Sequence, residues 1–535
     1  MTDQRAPDSP PAVSPWAPLR RPLFRYVWIA TVVSNIGSWM QDVGAGWLMT
    51  TLAPAPIMVA LVQTATTLPF VFLVLPAGAL ADIIDRRRYL IAIQFWMLAV
   101  SATLGVLTLL QITNAWTLLI LTFAMGTGTA MMMPAWSAIT PELVPRGELQ
   151  PAIVLNSVGV NVSRAIGPAV AGVIISAVGS WAVFLLNALS YLGVIAVLIW
   201  WRREQPKRAL PSERLGGAFR SGLRFAWHAP VLQTVLVRSF SFSIFASATW
   251  ALFPLIVRQE LGRGSEIYGV LLACIGVGAV SGAMVLPRLR LRFSRHALVA
   301  AATLVYAGAA LTLAYVRDIY VLGAAMFVTG TAWLTVLSAL QVTAQTALPA
   351  WVRARGLAVY MVVFMAGMAG GSALWGPVAS VAGSPVALTL AAAGAVAAIA
   401  LTWRFKLGAQ DAVDLAPSMH WPAPLVSSEP EPERGPVMVV IEYLIEPART
   451  AEFVTAMQDM RRKRQRDGAF FWELFQDAAD SARFVECFMT ESWVEHLRQH
   501  ERVTVADREI QERINAFHVG GERPRASHLL AGILS

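Results

Sequence analysis

The chain is poor in charged residues and in cysteine. Asp, Glu, Lys and Arg make up only 14% of its 535 residues, whereas soluble domains carry about 25%. Hydrophobic residues account for 56%, and the mean hydropathy is +0.56. The two cysteines, Cys274 and Cys487, provide neither a disulfide framework nor a zinc-binding spacing. These shortages exclude an ordinary soluble enzyme and indicate a protein that crosses a membrane several times.

The sequence also lacks the pattern of a signal peptide and a concentrated basic surface. Residues 1–22 are polar and rich in proline, without an apolar stretch followed by a small-residue cleavage site. We therefore predict a disordered cytoplasmic N-terminus and no cleaved signal peptide. The formal charge of +9 does not indicate nucleic-acid binding, because the arginines are spread over short alternate loops rather than over one soluble face.

Twelve apolar stretches are each long enough to cross ~30 Å of hydrocarbon. They lie at 24–50, 57–80, 89–110, 114–139, 149–176, 180–201, 231–257, 267–287, 296–316, 319–345, 355–382 and 385–404. The predicted fold class is an all-α membrane protein with twelve transmembrane helices. We predict an N-terminal six-helix bundle at 23–201, a cytoplasmic central loop at 202–230 and a C-terminal six-helix bundle at 231–405.

Lysine and arginine alternate between the loops. The even-numbered loops and the two ends of the helical part contain most of them, whereas the odd-numbered loops contain only Arg258, Arg263 and Arg317. Because cytoplasmic loops are enriched in Lys and Arg, we predict that both termini are cytoplasmic. The predicted location is a bacterial inner membrane.

The two halves of the helical part resemble each other in sequence. Residues 282–292 are a degenerate copy of residues 78–88. Residues 372–377 are similar to residues 163–168 and follow them at nearly the same distance along the sequence. Two six-helix pseudo-repeats related by an axis along the membrane normal are typical of transporters that rock between two states.

The loop between the second and third helices combines small, acidic and basic residues. Its six candidate residues are Gly78, Asp82, Asp85, Arg86, Arg87 and Arg88. A glycine lets two helices approach closely, and an aspartate at a membrane border needs a cation or a helix N-terminus. The arginines alone are equally well explained by an ordinary cytoplasmic loop. The whole string resembles the signature loop of the major facilitator superfamily, and this resemblance implies a conformational latch.

Few ionisable residues lie inside the predicted spans, and they indicate which helices surround a polar interior. Asp42 is in helix 1, Arg164 in helix 5 and Arg238 early in helix 7. Because a buried charge needs a wet or polar interior, we expect helices 1, 5 and 7 to line a cavity and helices 3, 6, 9 and 12 to face lipid or act as supports. Asp42 could carry protons or make a structural pair. Arg164 could counter Asp42, bind an anionic substrate or tie helices together, and Arg238 is interpreted as reaching the cytoplasmic interface.

Helix 5 contains a string of small residues around a proline. Ser163, Gly167, Pro168 and Gly172 allow a close helix crossing and a bend. The string is similar to the Gly-Pro motif of antiporters in the same superfamily, which implies export, although Ser163 and Ala171 replace glycines usual in that motif. Helix 1 and residues 76–82 and 141–146 resemble the branch of bacterial exporters that includes the enterobactin exporter and related secretion effectors.

The C-terminal region changes composition abruptly. Residues 406–436 are interpreted as a Pro-rich extended linker, and residues 437–535 as a soluble α+β, ferredoxin-like domain. This domain weakly resembles the antibiotic-biosynthesis-monooxygenase family, which implies a dimeric barrel and a possible homodimer. His496 and His500 share a helix face, but no third or fourth metal ligand is evident, so we interpret them as an ordinary surface pair.

The sequence as a whole predicts a secondary active transporter and not an enzyme. It would export small siderophore-like or amphipathic drug-like molecules by proton-coupled alternating access, with the substrate, protons and the lipid bilayer as its partners. No cofactor, metal or nucleic acid is expected. The alternative is a membrane-tethered enzyme whose monooxygenase-like C-terminal domain is catalytic.

Overall fold

The computed structural model describes residues 14–202, 223–349, 351–407, 414, 416, 418, 420–421, 426 and 430–532. The side chains of Asp82, Arg146 and Glu501 lie outside this description. The chain divides into two compact units. The first comprises the described residues of Met1–Ser212, Arg238–Leu340 and Met361–Phe405, and the second those of Glu213–Val237, Gln341–Tyr360 and Lys406–Ser535.

Twelve long helices occupy the twelve predicted places. They are α1 Pro22–Leu52, α2 Pro56–Ile83, α3 Arg86–Leu109, α4 Ala115–Leu143, α5 Leu149–Ala177, α6 Ser180–Trp200, α7 Pro230–Leu255, α8 Ser265–Arg292, α9 Arg295–Tyr315, α10 Ile319–Thr346, α11 Arg353–Ala382 and α12 Ser384–Leu401. Eleven of them, among the described residues, are long and apolar enough to cross a membrane. The other is α1, which has ample length but contains Asn35, Gln41 and Asp42. The mostly helical fold class is confirmed.

A buried polar network fixes the orientation of α1. The Asn187 side-chain amide on α6 donates to Gln41 Oε1 at 2.8 Å, and Ser101 Oγ on α3 donates to the same oxygen at 2.5 Å. Gly37 lies on the same face of α1, where an added Cβ would come within 2.6 Å of Asn187 Oδ1. Because successive helical residues are rotated by about 100°, anchoring Gln41 toward α3 and α6 turns Asp42 away from them. Helices 3 and 6 are supports, as predicted.

Arg238 does not reach outward as interpreted from the sequence. Its side chain is 5% exposed, and Nε donates to the Phe405 carbonyl at 3.2 Å. Its guanidinium also lies 3.2 Å from the His296 ring on α9. Phe405 follows the last turn of α12, so Arg238 joins α7, α9 and α12 by satisfying a carbonyl beyond a helix end.

The second unit contains a four-stranded antiparallel sheet. Its strands are β1 Val437–Leu444, β2 Phe471–Gln476, β3 Arg483–Thr490 and β4 Ala526–Leu530, in the order β2-β3-β1-β4. Helix α13 Thr450–Asp467 follows β1, and helices α14 Trp493–Arg502 and α15 Val505–Asn515 follow β3. This is the order of a ferredoxin-like unit, so the predicted C-terminal topology is confirmed. Strand β4 was not predicted from the sequence.

The described residues of the 406–436 segment are bonded to the C-terminal domain. The Ser418 amide donates to the Val503 carbonyl, and the Trp493 amide donates to the Arg434 carbonyl, at 2.9 and 2.8 Å. Trp421 lies under the Arg464 guanidinium at 4.8 Å. The interpretation of these residues as an extended linker is therefore wrong at the described positions, because proline content indicates an extended backbone but not whether another surface pairs with it.

The second unit also includes the ends of helices. Arg502 on α14 lies 4.5 Å from the Trp351 ring, which follows α10, and Trp351 packs edge-on against Phe225 at 5.8 Å. Residues 223–228 are helical. Most of the predicted 202–230 loop lies outside the described residues.

Candidate functional site

A cavity of about 240 Å³ lies within the first unit, between its two six-helix halves. Residues of seven helices line it: Trp39, Asp42, Val43, Gly46, Val59, Val62, Gln63, Thr66, Thr67, Arg164, Trp250, Ala251, Pro254, Tyr268, Leu272, Trp333, Phe364, Met365 and Met368. They belong to α1, α2, α5, α7, α8, α10 and α11. The structure thus places the three predicted lining helices at the cavity. Charge placement missed the other four, because their lining residues are uncharged.

Asp42 lies about two-thirds along α1 and is accessible from the cavity. It shares one face of α1 with Trp39 and Gly46, at the three- and four-residue spacing of a helix. Asp42 is the one carboxylate among the described residues that line the cavity. A carboxylate surrounded by apolar and aromatic walls lacks most of its hydration and is a candidate proton carrier.

Arg164 on α5 reaches the same cavity and contacts Trp39. Its guanidinium carbon lies 5.4 Å from the centre of the Trp39 ring, within the range of a cation–π interaction. Its Nε is buried and has no hydrogen-bond partner among the described residues. No ion pair in the described structure joins Arg164 to Asp42. The two charges therefore share the cavity but do not neutralise each other by contact.

Aromatic side chains form the wall that the C-terminal half contributes. Trp333 on α10 lies 5.3 Å from Trp250 and 5.9 Å from Phe364, both measured between ring centres. Tyr268 on α8 stacks on Trp47 at 5.8 Å. The polar and aromatic residues at the cavity include Gln63, Trp39, Trp250 and Trp333. The cavity is suited to a molecule with a bulky apolar or aromatic surface, and Asp42 and Arg164 of the N-terminal half are its charged groups.

The small residues of α5 contact two different helices. Ser163 Oγ donates to the Val32 carbonyl on α1 at 3.1 Å, and a Cβ added to Gly167 would lie 2.6 Å from Trp39 Cβ. A Cβ added to Gly172 would instead lie 2.6 Å from the Ser265 carbonyl oxygen on α8. Ser163 thus fits where the family pattern has a glycine, because its hydroxyl bonds to the facing helix.

Pro168 completes this close contact from within α5. A Cβ added to Gly269 on α8 would lie 2.5 Å from the Pro168 carbonyl oxygen. Helix α5 therefore approaches α8 through backbone atoms, while Arg164 on the same helix reaches the cavity. Within the string, Pro168 and Gly172 contact α8 of the other half, whereas Ser163 and Gly167 contact α1 of the same half.

Several hydrogen bonds between the two halves lie at one end of the helices, and Thr64 Oγ1 on α2 donates to the Ala369 carbonyl on α11 further along. The Arg258 guanidinium, just after α7, donates to Thr50 Oγ1 at 3.1 Å and to Thr51 Oγ1. Gln259 donates to the Pro54 carbonyl at 3.0 Å, and Ser265 Oγ donates to the Gly172 carbonyl at 3.2 Å. This end carries the connections from α1 to α2, α5 to α6 and α7 to α8. We call this set of contacts the Arg258 gate.

The 78–88 string divides into separate local roles. Asp85 caps α3 by accepting the Arg88 amide at 2.9 Å, and Arg86 pairs with Glu142 on α4 at 3.0 Å and donates to the Ala138 carbonyl. Arg87 donates to the Leu198 and Ile199 carbonyls at the end of α6, at 2.6 and 2.7 Å. Arginines here satisfy carbonyls that helix ends leave without partners.

Two other positions of this string differ from what the sequence indicated. A Cβ added to Gly78 would lie 3.8 Å from Pro134 Cβ, which is an ordinary contact, so Gly78 does not mark a close helix approach in this structure. Helices α2 and α4 approach closely at Gly126 instead, where an added Cβ would lie 2.7 Å from the Thr66 carbonyl oxygen. The side chain of Asp82 lies outside the described residues.

A family model described as transmembrane secretion effector matches residues 13–534. The chain belongs to the transmembrane secretion effector family. This family is part of the major facilitator superfamily of transporters, so the chain is a member of that superfamily. The branch around the enterobactin exporter and the monooxygenase-like character of the C-terminal domain stay predictions.

Three relatives with named functions are similar to this transporter in sequence. The Staphyloferrin A transporter of Staphylococcus aureus is 26% identical over 274 residues, which are 49% of this chain and 66% of that protein. Multidrug efflux pump Tap of Mycolicibacterium fortuitum is 24% identical over 363 residues, or 66% and 88% of the two chains. Macrolide efflux protein A of Streptococcus pyogenes is 25% identical over 176 residues, or 33% and 42%. The first match thus spans just under two thirds of its relative.

Solved structures share the fold of this transporter. The nucleoside transporter NupG aligns with a TM-score of 0.59 at 14% identity, over 72% of this chain and 99% of that one. A bacterial homologue of the lysosomal transporter Spinster aligns with a TM-score of 0.55 at 14% identity, over 72% and 95%. These alignments confirm a major facilitator fold and carry no further information about substrate.

Replacing Arg86 with Ala should impair transport by this secretion effector far more than replacing Arg88. Arg86 joins α3 to α4 through Glu142, whereas the Arg88 side chain is exposed. A half-buried pair is worth about 1 kcal/mol or more, enough to shift a two-state equilibrium about fivefold. The measurement is substrate export by membrane vesicles that contain equal amounts of each variant. Equal activities of the Arg86→Ala and Arg88→Ala variants would contradict the latch.

In the C-terminal domain, three histidines form a cluster that the sequence did not reveal. His496 and His500 on α14 lie beside His528 on β4, with one ring nitrogen of each within 4.8 Å of the others. His496 is 1% exposed, so the interpretation of a surface pair without a third neighbour is wrong. His528 was missed because β4 was not predicted.

The environment keeps these rings neutral. Burial, with His528 and His500 nearby, lowers the pKa of His496 to about 3. Burial also lowers the pKa of His500 to about 4, with further contributions from His528 and Arg464. At neutral pH both imidazoles are uncharged and present a lone pair.

The buried carboxylate of Glu486 in this domain is fully paired. Glu486 on β3 accepts from Arg464 Nε at 3.0 Å, from Trp472 Nε1 at 2.9 Å and from the Tyr443 hydroxyl at 3.1 Å. A carboxylate with this many donors stabilises the fold by satisfying buried groups and has little capacity for acid–base chemistry.

Proposed function

We propose that the protein exports small amphipathic molecules across a bacterial inner membrane by proton-coupled alternating access. The observation that carries this proposal is the cavity between the two six-helix halves, where Asp42 and Arg164 face an aromatic wall without pairing with each other. Such a site binds a molecule with an apolar body and a polar or charged end. No covalent chemistry is required of it, so we propose a transporter and not an enzyme.

The distribution of arginine supports an orientation with both termini in the cytoplasm. The connection from α2 to α3 contains Arg86, Arg87 and Arg88, and this end of the helices would face the cytoplasm. The Arg258 gate lies at the opposite end and would face the periplasm. Its hydrogen bonds between the halves support a state in which the outer end is closed.

Asp42 supports proton coupling. A carboxylate that gains a proton on one side and loses it on the other can link the proton gradient to the rocking of the halves, since its charge changes which state is favoured. Arg164 keeps its charge throughout and would attract an anionic part of the substrate or the ionised form of Asp42. Competition between substrate and proton at the same cavity is the physical basis of exchange.

The composition of the cavity supports an amphipathic substrate class. Trp250, Trp333, Phe364, Met365 and Met368 offer apolar and polarisable surface rather than the dense hydrogen bonding that sugars need. The names of the matched relatives, which include a siderophore transporter and multidrug and macrolide efflux proteins, support the same classes. They do not favour the alternative of a membrane-tethered enzyme.

The C-terminal domain supports self-association as a secondary property. Strand β2 is at an edge of the sheet, and the side chains of Phe471 and Phe475 on it are exposed. An exposed apolar edge strand favours pairing with another copy. We propose a homodimer through this edge.

The proposed export can be tested with inside-out membrane vesicles. A proton gradient is generated in vesicles with and without the protein, and the uptake of a siderophore, a macrolide and a lipophilic cation is measured in parallel. We expect gradient-dependent accumulation of at least one of these compounds that stops when an ionophore collapses the gradient. Accumulation of none of them, or accumulation unaffected by the ionophore, would contradict the proposal.

A further inference from the structure

The three-histidine cluster of the C-terminal domain has the features of a metal site. The elements that place it are defined: Ser492 caps α14 by accepting the Glu495 amide, and His496 and His500 follow one turn apart on one face. His528 on β4 lies opposite Val439 of β1, which is 2% exposed. Directly opposite residues share a sheet face, so His528 is on the buried face of the sheet with Val439.

The geometry of the rings brings three ligand atoms together. The ring centre of His496 lies 5.0 Å from that of His500 and 4.8 Å from that of His528. Nitrogens bound to one tetrahedral ion stand about 3.3 Å apart, given metal–nitrogen bonds of about 2.0 Å. The three ring nitrogens are now within 4.8 Å of one another. Small rotations of the half-buried His500 and His528 rings would bring them to the separation that a bound ion requires.

His496 provides an independent reason to expect a ligand. It is 1% exposed, yet neither Nδ1 nor Nε2 has a hydrogen-bond partner among the described residues. A buried polar group without a partner costs about 1–3 kcal/mol, so native structures rarely leave one unsatisfied. A metal ion bound to one of these nitrogens would remove the deficit on that side.

The nearest positive charge, the Arg464 guanidinium, is compensated in part by its ion pair with Glu486. The Trp421 ring contacts both groups, 4.8 Å from the Arg464 guanidinium carbon and 5.0 Å from the ring centre of His500. His500 and His528 are half-buried, which leaves a path for an ion and a position for water.

We propose that His496, His500 and His528 bind one divalent transition-metal ion of the zinc type, with the fourth position open to water. Three imidazoles favour zinc, cobalt, nickel or copper over calcium or magnesium, which require oxygen ligands. The site is separate from the transport cavity and does not depend on the proposed export.

The test uses the full-length protein in detergent, purified with a tag that lacks histidine and stripped with a chelator. Titration with Co²⁺ should give the visible absorption of a tetrahedral complex at one ion per chain, and bound Zn²⁺ should be measured by elemental analysis. His500→Ala and His528→Ala should each weaken binding by about tenfold or more, since removing a ligand has at least the effect of removing its supporting group. His518→Gln is the matched control, because His518 is in the same domain and outside the cluster.

A second variant and a second measurement distinguish loss of binding through misfolding from loss of binding through removal of a ligand. His528→Cys keeps a ligand, and its Co²⁺ complex should gain a thiolate charge-transfer band that the parent chain lacks. Hydrogen exchange of the peptides that contain β1 and β3 reports whether the domain is folded. The proposal is overturned if the parent chain binds no stoichiometric ion, if all variants bind equally, or if the folded His528→Cys variant lacks the new band.

Discussion

Replacing Asp42 with Asn should reduce gradient-driven accumulation to the level of vesicles without the protein. The substitution preserves the shape of the side chain but removes the one carboxylate among the described residues that line the cavity. The substrate can still contact Arg164 and the aromatic wall, so binding and exchange along a concentration gradient should persist. The measurement is uptake with an imposed pH gradient, compared with exchange of labelled for unlabelled substrate.

The matched control for this variant is Asp318→Asn. Asp318 lies outside the cavity, before α10, and accepts the Tyr320 and Val321 amides at 2.9 Å, a role that an Asn oxygen can also fill. Its replacement should leave both uptake and exchange close to the parent values. Uphill accumulation by Asp42→Asn with the parent's pH dependence would show that protons are carried elsewhere.

Replacing Gly172 with Leu should abolish transport and open the periplasmic end. Even a Cβ at this position would lie 2.6 Å from the Ser265 backbone oxygen, and backbone atoms cannot move aside as a flexible side chain can. Overpacking of this kind costs about 1–3 kcal/mol, which shifts an equilibrium between two states by roughly one to two orders of magnitude. The state in which α5 and α8 are packed should therefore lose its population.

Cysteine labelling reports this shift directly. Thr50→Cys, at a position that is 2% exposed in this structure, is introduced into a chain in which Cys274 and Cys487 are replaced by Ser, and an impermeant maleimide is added from the periplasmic side. We expect faster labelling in the Gly172→Leu background than in the parent. Gly308→Leu is the control, because nothing lies within 4 Å of a Cβ added at that glycine. Unchanged labelling together with lost transport would indicate a folding defect instead.

The sequence predicted the helices well because each one depends on a long local pattern. It also predicted that Asp42 and Arg164 share a cavity, because a charge inside a membrane has few places to lie. Charge placement did not predict the lining from α2, α8, α10 and α11, where uncharged residues line the cavity in the same way that they fill a core. The periodicity of the sequence alone does not distinguish an uncharged residue that lines a cavity from one that fills a core.

The other predictions from the sequence that were wrong or incomplete concern contacts between segments that are distant along the chain. His528 meets His496 only because β4 pairs with β1 across most of the domain, and such pairing leaves no trace in a window of sequence. Gly78 looked like a site of close approach, but the facing residue decides this, and the facing residue is Pro134. The latch arginines were recognised by composition, whereas their division between Glu142 and the carbonyls of α6 required the structure.

The pairing of Asp414, Ala416 and Ser418 with the C-terminal domain has a practical consequence for protein engineering. Asp414, Ala416 and Ser418 exchange backbone hydrogen bonds with residues 503–506, much as an added strand does at the edge of a sheet. A gene fragment that began at residue 437 would omit these partners and the Trp421 ring. A fusion junction or protease site intended to release the domain intact belongs before Asp414.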